Sequence, residues 1–282
     1  MKKITIKSPS GIFSGNCIND VNTFYGIPYA ESCAEKNRWH APKKLQPNHN
    51  HLESKRGSSA YQTVVNKSFM FDTTLPDPCE DCLNLNIASP KDASNLPVMI
   101  WIHGGAFLTG SANGALYKME TLALKEVILV TINYRLGPLG FLKLDEVTNG
   151  LIPSTGNEGL LDQRLAIQWV KENIEAFGGN PENITIFGES AGAWSCALQV
   201  GMGIQGDFQK VICQSGGGDA TRTMDSANQW GEIFISKCHD NNISIKDLIS
   251  TPPEKLIAVA KLMRHMELSD GSSWVMPEVG FA

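Results

Sequence analysis

The stretch ITIFGESAG at residues 184–192 decides the fold of this chain. Its first four residues are apolar or β-branched and predict a buried strand, and the apolar run that follows, as far as Val200, predicts a helix. Ser190 therefore lies on a sharp turn between a strand and a helix, where backbone angles are unfavourable. A Cβ two positions before or after the serine would collide with neighbouring backbone, so Gly188 and Gly192 are both needed.

This turn has two interpretations. The bare pattern G-x-S-x-G is short and also occurs by chance in glycine-rich loops. The flanking strand and helix favour the second interpretation, in which Ser190 is a nucleophile presented at the end of a strand.

A second glycine-rich loop, HGGAF at residues 103–107, follows the predicted strand Val98–Ile102. Acyl transfer builds negative charge on a carbonyl oxygen, and backbone N–H donors must already point to that position. Glycines let the backbone approach so closely. The alternative is a tight turn that only ends the strand. For His103 itself we expect a structural role, because the general base in this layout follows the nucleophile in the chain.

The surrounding pattern is that of an α/β protein. Three alternating segments predict an antiparallel hairpin or meander: Lys3–Lys7, Gly11–Cys17 and Val21–Ile27. Residues 31–75 are polar and predict loops with short helical pieces. A βαβ rhythm then predicts strands at Leu83–Ile87, Val98–His103, Val127–Asn133, Ile184–Phe187 and Val211–Gln214. The clearest helix covers residues 159–177 and ends at Gly178. We expect one continuous α/β unit over residues 1–282.

Composition excludes several classes of protein. The chain has 282 residues, 24 basic and 29 acidic side chains, a net charge of -5 and 42% hydrophobic residues, which is typical of a soluble globular domain. It has no basic block for nucleic acid or an anionic membrane. The longest apolar stretch, Leu96–Ile102, is far shorter than the roughly 20 residues of a membrane span. No signal peptide is visible, so we expect a cytoplasmic protein with reduced thiols.

Two weaker motifs do not indicate a cofactor or a metal. Cys79 and Cys82 form a C-x-x-C pair, but no second pair stands at zinc spacing. The glycine pattern at residues 201–206 follows a predicted helix, so it cannot present a helix N-terminus to a pyrophosphate. We therefore expect no cofactor and no metal site.

Six motifs together carry a resemblance to a known family. They are FYGIPYA (residues 24–30), EDCLNLN (80–86), HGGAF (103–107), NYRLG (133–137), GNEGLLDQR (156–164) and GESAG (188–192). From Gly11 to about Gly216 the chain resembles the type-B carboxylesterase/cholinesterase family of α/β-hydrolases. The resemblance implies a mostly parallel central sheet with an N-terminal antiparallel hairpin, and a cofactor-independent serine esterase acting on a small-molecule carboxylic ester.

The resemblance also implies roles for the residues of the two glycine-rich loops. Ser190 is expected to be the nucleophile, in an acyl-enzyme mechanism. The expected oxyanion hole consists of the backbone N–H groups of Gly105, Ala106 and Ala191, and the dipole of the helix that Ala191 opens adds to it. The expected supporting residues are Gly104, Gly188, Gly192 and Glu189. Glu189 is expected to be a buried carboxylate that tunes the nucleophile and is not the triad acid.

Two ion pairs and a missing disulfide follow from the same resemblance. The pairs Arg38–Glu80 and Arg135–Asp162 are expected to be structural. Extracellular relatives place half of a disulfide at the position of Cys82, but Tyr61 stands at the partner position, so we expect no bridge.

Length is the main departure from the family pattern. Only 92 residues follow Ser190, whereas family members continue for several hundred more and place an acid and a histidine there. We therefore expect a C-terminally incomplete domain without its catalytic acid and histidine. His239 and His265 match no family motif and are expected at the surface. The alternative to an esterase is a non-catalytic or truncated member that acts as a binding module or inactive fragment. The sequence indicates neither the substrate's acyl and alcohol groups nor the oligomeric state.

Overall fold

One mixed β-sheet runs through the structure, a computed structural model that describes residues 2–62, 74–203, 206–219, 221–263, 266 and 268–271. Within these ranges the strands are β1 (Lys2–Ser8), β2 (Gly11–Ile18), β3 (Val21–Pro28), β4 (Asn48–Leu52), β5 (Asn84–Pro90), β6 (Leu96–Ile102), β7 (Ile128–Ile132), β8 (Gly179–Glu189) and β9 (Lys210–Gln214). Their spatial order is β1-β2-β3-β5-β7-β6-β8-β9, and β4 pairs with β2.

The first part of the sheet is antiparallel. The alternating segments at the N-terminus form the predicted meander of β1, β2 and β3. β5 also runs antiparallel to both of its neighbours, so the sheet is more evenly mixed than the mostly parallel one that the sequence predicted. The reason is the short connection between β5 and β6. Residues 91–95 are too few for a crossover helix, and the chain turns back.

The second part of the sheet, β7-β6-β8-β9, is parallel and positions the site. The α-helices of the described residues are α1 (Met119–Ala123), α2 (Glu158–Asn173), α3 (Ala191–Gly201), α4 (Met224–Asp240) and α5 (Pro253–Lys261). α2 continues as a 3-10 turn that ends at Gly178, whose left-handed φ of 88° is the predicted stop. Within the described ranges, no helix is both long and apolar enough to cross a membrane.

Three buried clusters hold these elements together. The largest joins the central strands to α2 and α3, through residues such as Ile100, Trp169 and Cys196. A small cluster on the other face of the sheet packs against α1. The third forms between α4, α5 and the loops around Trp39 and Leu142. The sequence did not predict α1, β4, α4 or α5 as elements; α4 and α5, which are close in the chain, pack against each other in this third cluster.

Candidate active site

Ser190 occupies the turn between β8 and α3 with a strained backbone. Its φ of 55° and ψ of −123° lie in a region that residues with side chains rarely adopt. Hydrogen bonds on both sides hold this conformation. The Ser190 N–H donates to the carbonyl of Gln214 in β9 at 2.9 Å, and the Ser190 carbonyl accepts from the N–H groups of Ala193 and Trp194 at 2.8 and 3.0 Å. The turn is therefore fixed by the neighbouring strand and by the first turn of the helix.

The two glycines of the turn are required by close backbone contacts. A Cβ on Gly192 would lie 2.0 Å from the carbonyl oxygen of Ile102 at the end of β6. A Cβ on Gly188 would lie 2.4 Å from the carbonyl carbon of Gly192. Both distances are far below van der Waals contact, so the predicted steric need for glycine at these positions is confirmed.

The loop after β6, residues 103–110, is called the glycine loop below. Gly105, Ala106 and Phe107 have successive φ angles of 115°, 54° and 57°, all in the left-handed half of conformational space. A Cβ on Gly105 would lie 2.1 Å from the carbonyl oxygen of Thr109, so only glycine fits there. The Gly105 carbonyl accepts from the N–H groups of Leu108 and Thr109, both at 3.0 Å. The loop is thus a compact, internally bonded turn.

The sheet brings the glycine loop beside Ser190. β6 and β8 are parallel neighbours, and Ile102 pairs with Gly188, so the two loops leave the same end of the sheet. A Cβ on Gly104 would lie 3.4 Å from the Cβ of Ser190. Adjacency of the two loops follows directly from the register of these strands.

At this junction the backbone N–H groups of Gly105, Ala106 and Ala191 donate to no acceptor within the described residues, and the same holds for those of Gly104, Phe107 and Gly192. Ala191 is also the first residue of α3, so the positive end of an 11-residue helix faces the same place. Free N–H groups at a helix N-terminus favour a negative charge, such as the oxygen of a tetrahedral intermediate.

His103 is buried and has contacts that suit the structural role expected for it. Its Nδ1 donates to the carbonyl of Gly104 at 2.8 Å, and its ring stacks on Tyr134 with centroids 4.4 Å apart. The Tyr134 hydroxyl donates to the His103 carbonyl at 2.7 Å. Burial lowers the pKa of His103 to about 4, so the ring is neutral at pH 7. His103 supports the glycine loop as an uncharged group.

The expected burial of Glu189 is wrong. Glu189 is exposed at the carboxyl end of β8. Its neighbour β9 is the edge strand of the described sheet and is itself largely exposed, so nothing described covers this carboxylate. The side chain leans over the glycine loop, since a Cβ on Gly104 would lie 3.1 Å from Glu189 Oε2.

The two histidines that follow Ser190 in the chain do not meet it in the described structure. His239 is exposed in the last turn of α4, as predicted. His265 lies outside the described residues. Ser190 Oγ makes no hydrogen bond to any residue that the structure describes. No described histidine therefore qualifies as its base.

Both ion pairs implied by the family resemblance are present; Arg38, Arg135 and Asp162 are buried, and Glu80 is partly buried. Arg135 binds Asp162 through Nη2 at 2.7 Å and Nε at 2.8 Å, and the Arg135 backbone N–H adds a third bond at 3.0 Å. Arg38 Nη2 lies 2.7 Å from Glu80 Oε2, and Arg38 Nη1 donates to the carbonyls before α5. These pairs join segments that are distant in the chain.

The cysteines form no bridge. All seven are free, and Cys82 is buried beside a small cavity that Tyr61 also lines. Among the described residues, no group of three or more His, Cys, Asp or Glu side chains is arranged to hold a metal ion.

Two residues of the site were not singled out from the sequence. Tyr134 follows the neighbouring strand β7, and its hydroxyl donates to the His103 carbonyl. The position of the motif NYRLG directly after β7 could have indicated this role. Gly110 closes the glycine loop with a φ of 113°, and a Cβ there would lie 2.4 Å from His103 Nδ1. In the sequence, the position of Gly110 a few residues after HGGAF could have indicated this role.

Comparisons with known proteins agree on one family. The sequence model described as "Carboxylesterase family" matches residues 2–274. The chain is 39% identical over 260 residues to a para-nitrobenzyl esterase of Bacillus subtilis (strain 168), covering 91% of this chain and 52% of that protein. It is 42% identical over 225 residues to an acetylcholinesterase of Danio rerio, covering 74% of this chain and 34% of that protein.

Solved structures give the same picture. A thermophilic pNB esterase superimposes with a TM-score of 0.85 at 35% identity, covering 98% of this chain and 57% of that chain. A carboxylesterase of Geobacillus stearothermophilus gives a TM-score of 0.83 at 35% identity, covering 98% of this chain and 55% of that chain. This chain therefore spans about half the length of these esterases.

Proposed function

This chain belongs to the carboxylesterase family and has the α/β-hydrolase fold, and on that premise we propose that it is a serine carboxylic-ester hydrolase acting on a small-molecule ester. One observation carries the proposal. The strained Ser190 lies beside a group of backbone N–H donors that includes those of Gly105, Ala106 and Ala191 and has no acceptor among the described residues. Such strain and unpaired donors are costly in a folded protein, and they persist where the chemistry uses them.

In the proposed mechanism, Ser190 Oγ attacks the ester carbonyl carbon and forms a tetrahedral intermediate. The N–H groups of Gly105, Ala106 and Ala191 donate to its oxyanion, and the helix dipole of α3 adds to the stabilisation. The C–O bond to the alcohol then breaks, the leaving oxygen takes up the proton that Ser190 lost, and an acyl group remains on Ser190. Attack by water on this acyl-enzyme releases the carboxylic acid and restores the serine.

The base that takes the Ser190 proton is assigned to none of the described residues. The lack of a base among the described residues favours the alternative function, in which a family member binds esters without turnover. The two functions differ in whether Ser190 is reactive, because an oxyanion hole and a nucleophile without a base retain only a small part of the catalysis, roughly 10³ to 10⁴ over water.

A serine-directed fluorophosphonate probe tests the proposal. We expect one covalent adduct at Ser190 in native protein, found by peptide mass spectrometry, and none after unfolding in urea. Ser190→Ala is expected to abolish the adduct. Ser195→Ala is the matched control, because Ser195 Oγ donates to the Ala191 carbonyl inside α3 and has no role in the chemistry. Native protein that neither reacts with the probe nor hydrolyses p-nitrophenyl acetate would support the non-catalytic alternative.

A further inference from the structure

The end of the glycine loop is held by one side chain from a distant part of the chain. Gly110 N–H donates to Gln62 Oε1 at 2.9 Å, and Gln62 Nε2 donates to the Gly110 carbonyl at 2.9 Å. The two bonds form a closed ring between one amide side chain and one backbone residue. Within the described residues, Gly110 makes no other backbone hydrogen bond.

Gly110 lies directly against the start of the same loop. A Cβ on Gly110 would be 2.4 Å from His103 Nδ1 and 2.6 Å from the Gly104 carbonyl oxygen. The histidine ring and this carbonyl therefore pack directly against the Cα of Gly110. His103 and Gly104 immediately precede the N–H groups of Gly105 and Ala106. A shift of Gly110 would therefore move His103 and Gly104, and with them the N–H groups of Gly105 and Ala106.

Gln62 is itself anchored. Its Nε2 also donates to the Ala60 carbonyl at 3.0 Å, and Ala60 is buried in the main core. The preceding Ser59 is buried as well, with its hydroxyl donating to the Pro76 carbonyl at 2.7 Å. The amide is thus presented to Gly110 from a fixed segment, with its donor and acceptor already oriented.

We propose that Gln62 is a positioning residue for the oxyanion hole, and this inference rests on the proposed function. The Gln62 amide fixes Gly110, Gly110 fixes His103 and Gly104, and these hold the N–H groups of Gly105 and Ala106 beside Ser190. An amide suits the task because it offers one donor and one acceptor side by side. A carboxylate has no N–H donor, and a thioether has neither a donor nor a strong acceptor.

Kinetics of two variants test this role. Gln62→Met keeps the length of the side chain but removes both bonds to Gly110, together with the bond to the Ala60 carbonyl. We expect kcat to fall about 10- to 100-fold, the scale of a displacement near 1 Å. KM is expected to stay within about threefold, because the oxyanion donors act mainly on the transition state. Gln62→Glu keeps an acceptor for Gly110 N–H and loses the donor, so its kcat is expected to lie between those of the wild type and Gln62→Met.

Gln209→Met is the matched control. Gln209 Oε1 accepts from the Ile184 N–H at 2.7 Å, so this variant also removes a bond between a glutamine and the backbone. Ile184 lies in β8 several residues before Ser190, away from the glycine loop. We expect comparable losses of thermal stability in both Met variants and a loss of kcat in Gln62→Met alone. Equal losses of kcat would mean general destabilisation and would overturn the proposal.

Amide hydrogen exchange gives a readout that does not need activity. We expect the peptide covering residues 103–112 to exchange faster in Gln62→Met than in wild type, and to be unchanged in Gln209→Met. Unchanged exchange of this peptide in Gln62→Met would overturn the proposal. If the wild type reacts with no ester and no fluorophosphonate, the proposed function fails. Faster exchange in Gln62→Met would still show that Gln62 holds Gly110 in place.

Discussion

Two neighbouring regions of this protein treat their polar groups in opposite ways. The first, called the site rim, comprises residues 103–110 and 188–192, and it contains strained backbone and N–H groups without acceptors among the described residues. The second, called the framework, comprises Asn133, Arg135 and Asp162 on and around β7 and α2. There the groups are paired: the Asn133 side chain alone bonds Ser58, Ser111, Ala112 and Asn84.

The difference predicts that activity depends mainly on the site rim and stability mainly on the framework. Unpaired donors and strained angles lower stability, and the site rim tolerates them because a fully bonded framework holds the strand ends that carry it. Substitutions in the site rim should therefore reduce activity more than stability. Substitutions in the framework should do the reverse.

Ser190→Ala gives the largest expected separation. In a form of the protein that carries a base for Ser190, we expect kcat for ester hydrolysis to fall by a factor of order 10⁶, because removal of the nucleophile leaves only the oxyanion hole and substrate positioning. The thermal unfolding midpoint is expected to stay near that of wild type, since alanine keeps the same backbone conformation and Ser190 Oγ makes no hydrogen bond to a described residue. Retention of even a tenth of the wild-type kcat in clean preparations would contradict the assignment of Ser190.

Asp162→Asn should give the opposite result in the framework. It leaves the buried Arg135 guanidinium without a negative partner, which costs about 3–5 kcal/mol of unfolding free energy. Urea denaturation measures this loss. Glu53→Gln is the matched control, because it breaks the exposed pair Lys3–Glu53, which contributes at most about 1 kcal/mol. Equal losses in the two variants would show that the framework is no more important than a surface pair.

Much of this contrast was predictable from sequence. The strand before Ser190, the helix after it and the steric need for Gly188 and Gly192 all follow from residues within one short window. The antiparallel setting of β5 was not predicted, because strand direction depends on the length of a connection as well as on apolar pattern.

Other parts of the site depend on contacts between residues far apart in the chain. Glu189 is exposed because β9, next to its strand, is the edge strand of the described sheet. The hydrogen bonds between Gln62 and Gly110 join positions 48 residues apart. Neither leaves a local pattern. The ion pairs were predicted only through the family resemblance, since charge pairing between distant residues has no periodic signal.

Gly105→Val sharpens the comparison within the site rim. The valine Cβ would meet the Thr109 carbonyl and displace the Gly105 N–H from the oxyanion position. We expect kcat to fall by about 10² to 10³, corresponding to roughly 3–4 kcal/mol, with a smaller change in KM. Gly150→Val is the control for backbone strain, because Gly150 has a φ of 78° and no atom within 4 Å of an added Cβ. A rise in KM alone in Gly105→Val would mean that the loop only shapes the pocket.

The smallest effect tests whether His103, although in the site rim, behaves like a framework residue. Its pKa is lowered by burial from 6.5 to about 4, so between these values the unfolded chain binds a proton that the folded protein does not. The free energy of unfolding should therefore fall as the pH falls from about 6.5 towards 4, by an amount of order 3 kcal/mol from this group. Urea titrations from about pH 4.5 to 7.5 measure the slope.

His103→Asn removes the titrating ring and retains an amide N–H to face the Gly104 carbonyl. We expect this variant to be less stable than wild type near pH 7, because it loses the stack on Tyr134, and to show a shallower pH dependence below about pH 6.5. The exposed His239 supplies the control, and His239→Asn should keep the wild-type slope. An unchanged slope in His103→Asn would contradict the neutral, buried state of His103. A shallower one would place His103 with the framework, as a buried neutral ring that stabilises the strained loop through its Nδ1 bond to the Gly104 carbonyl and its stack on Tyr134.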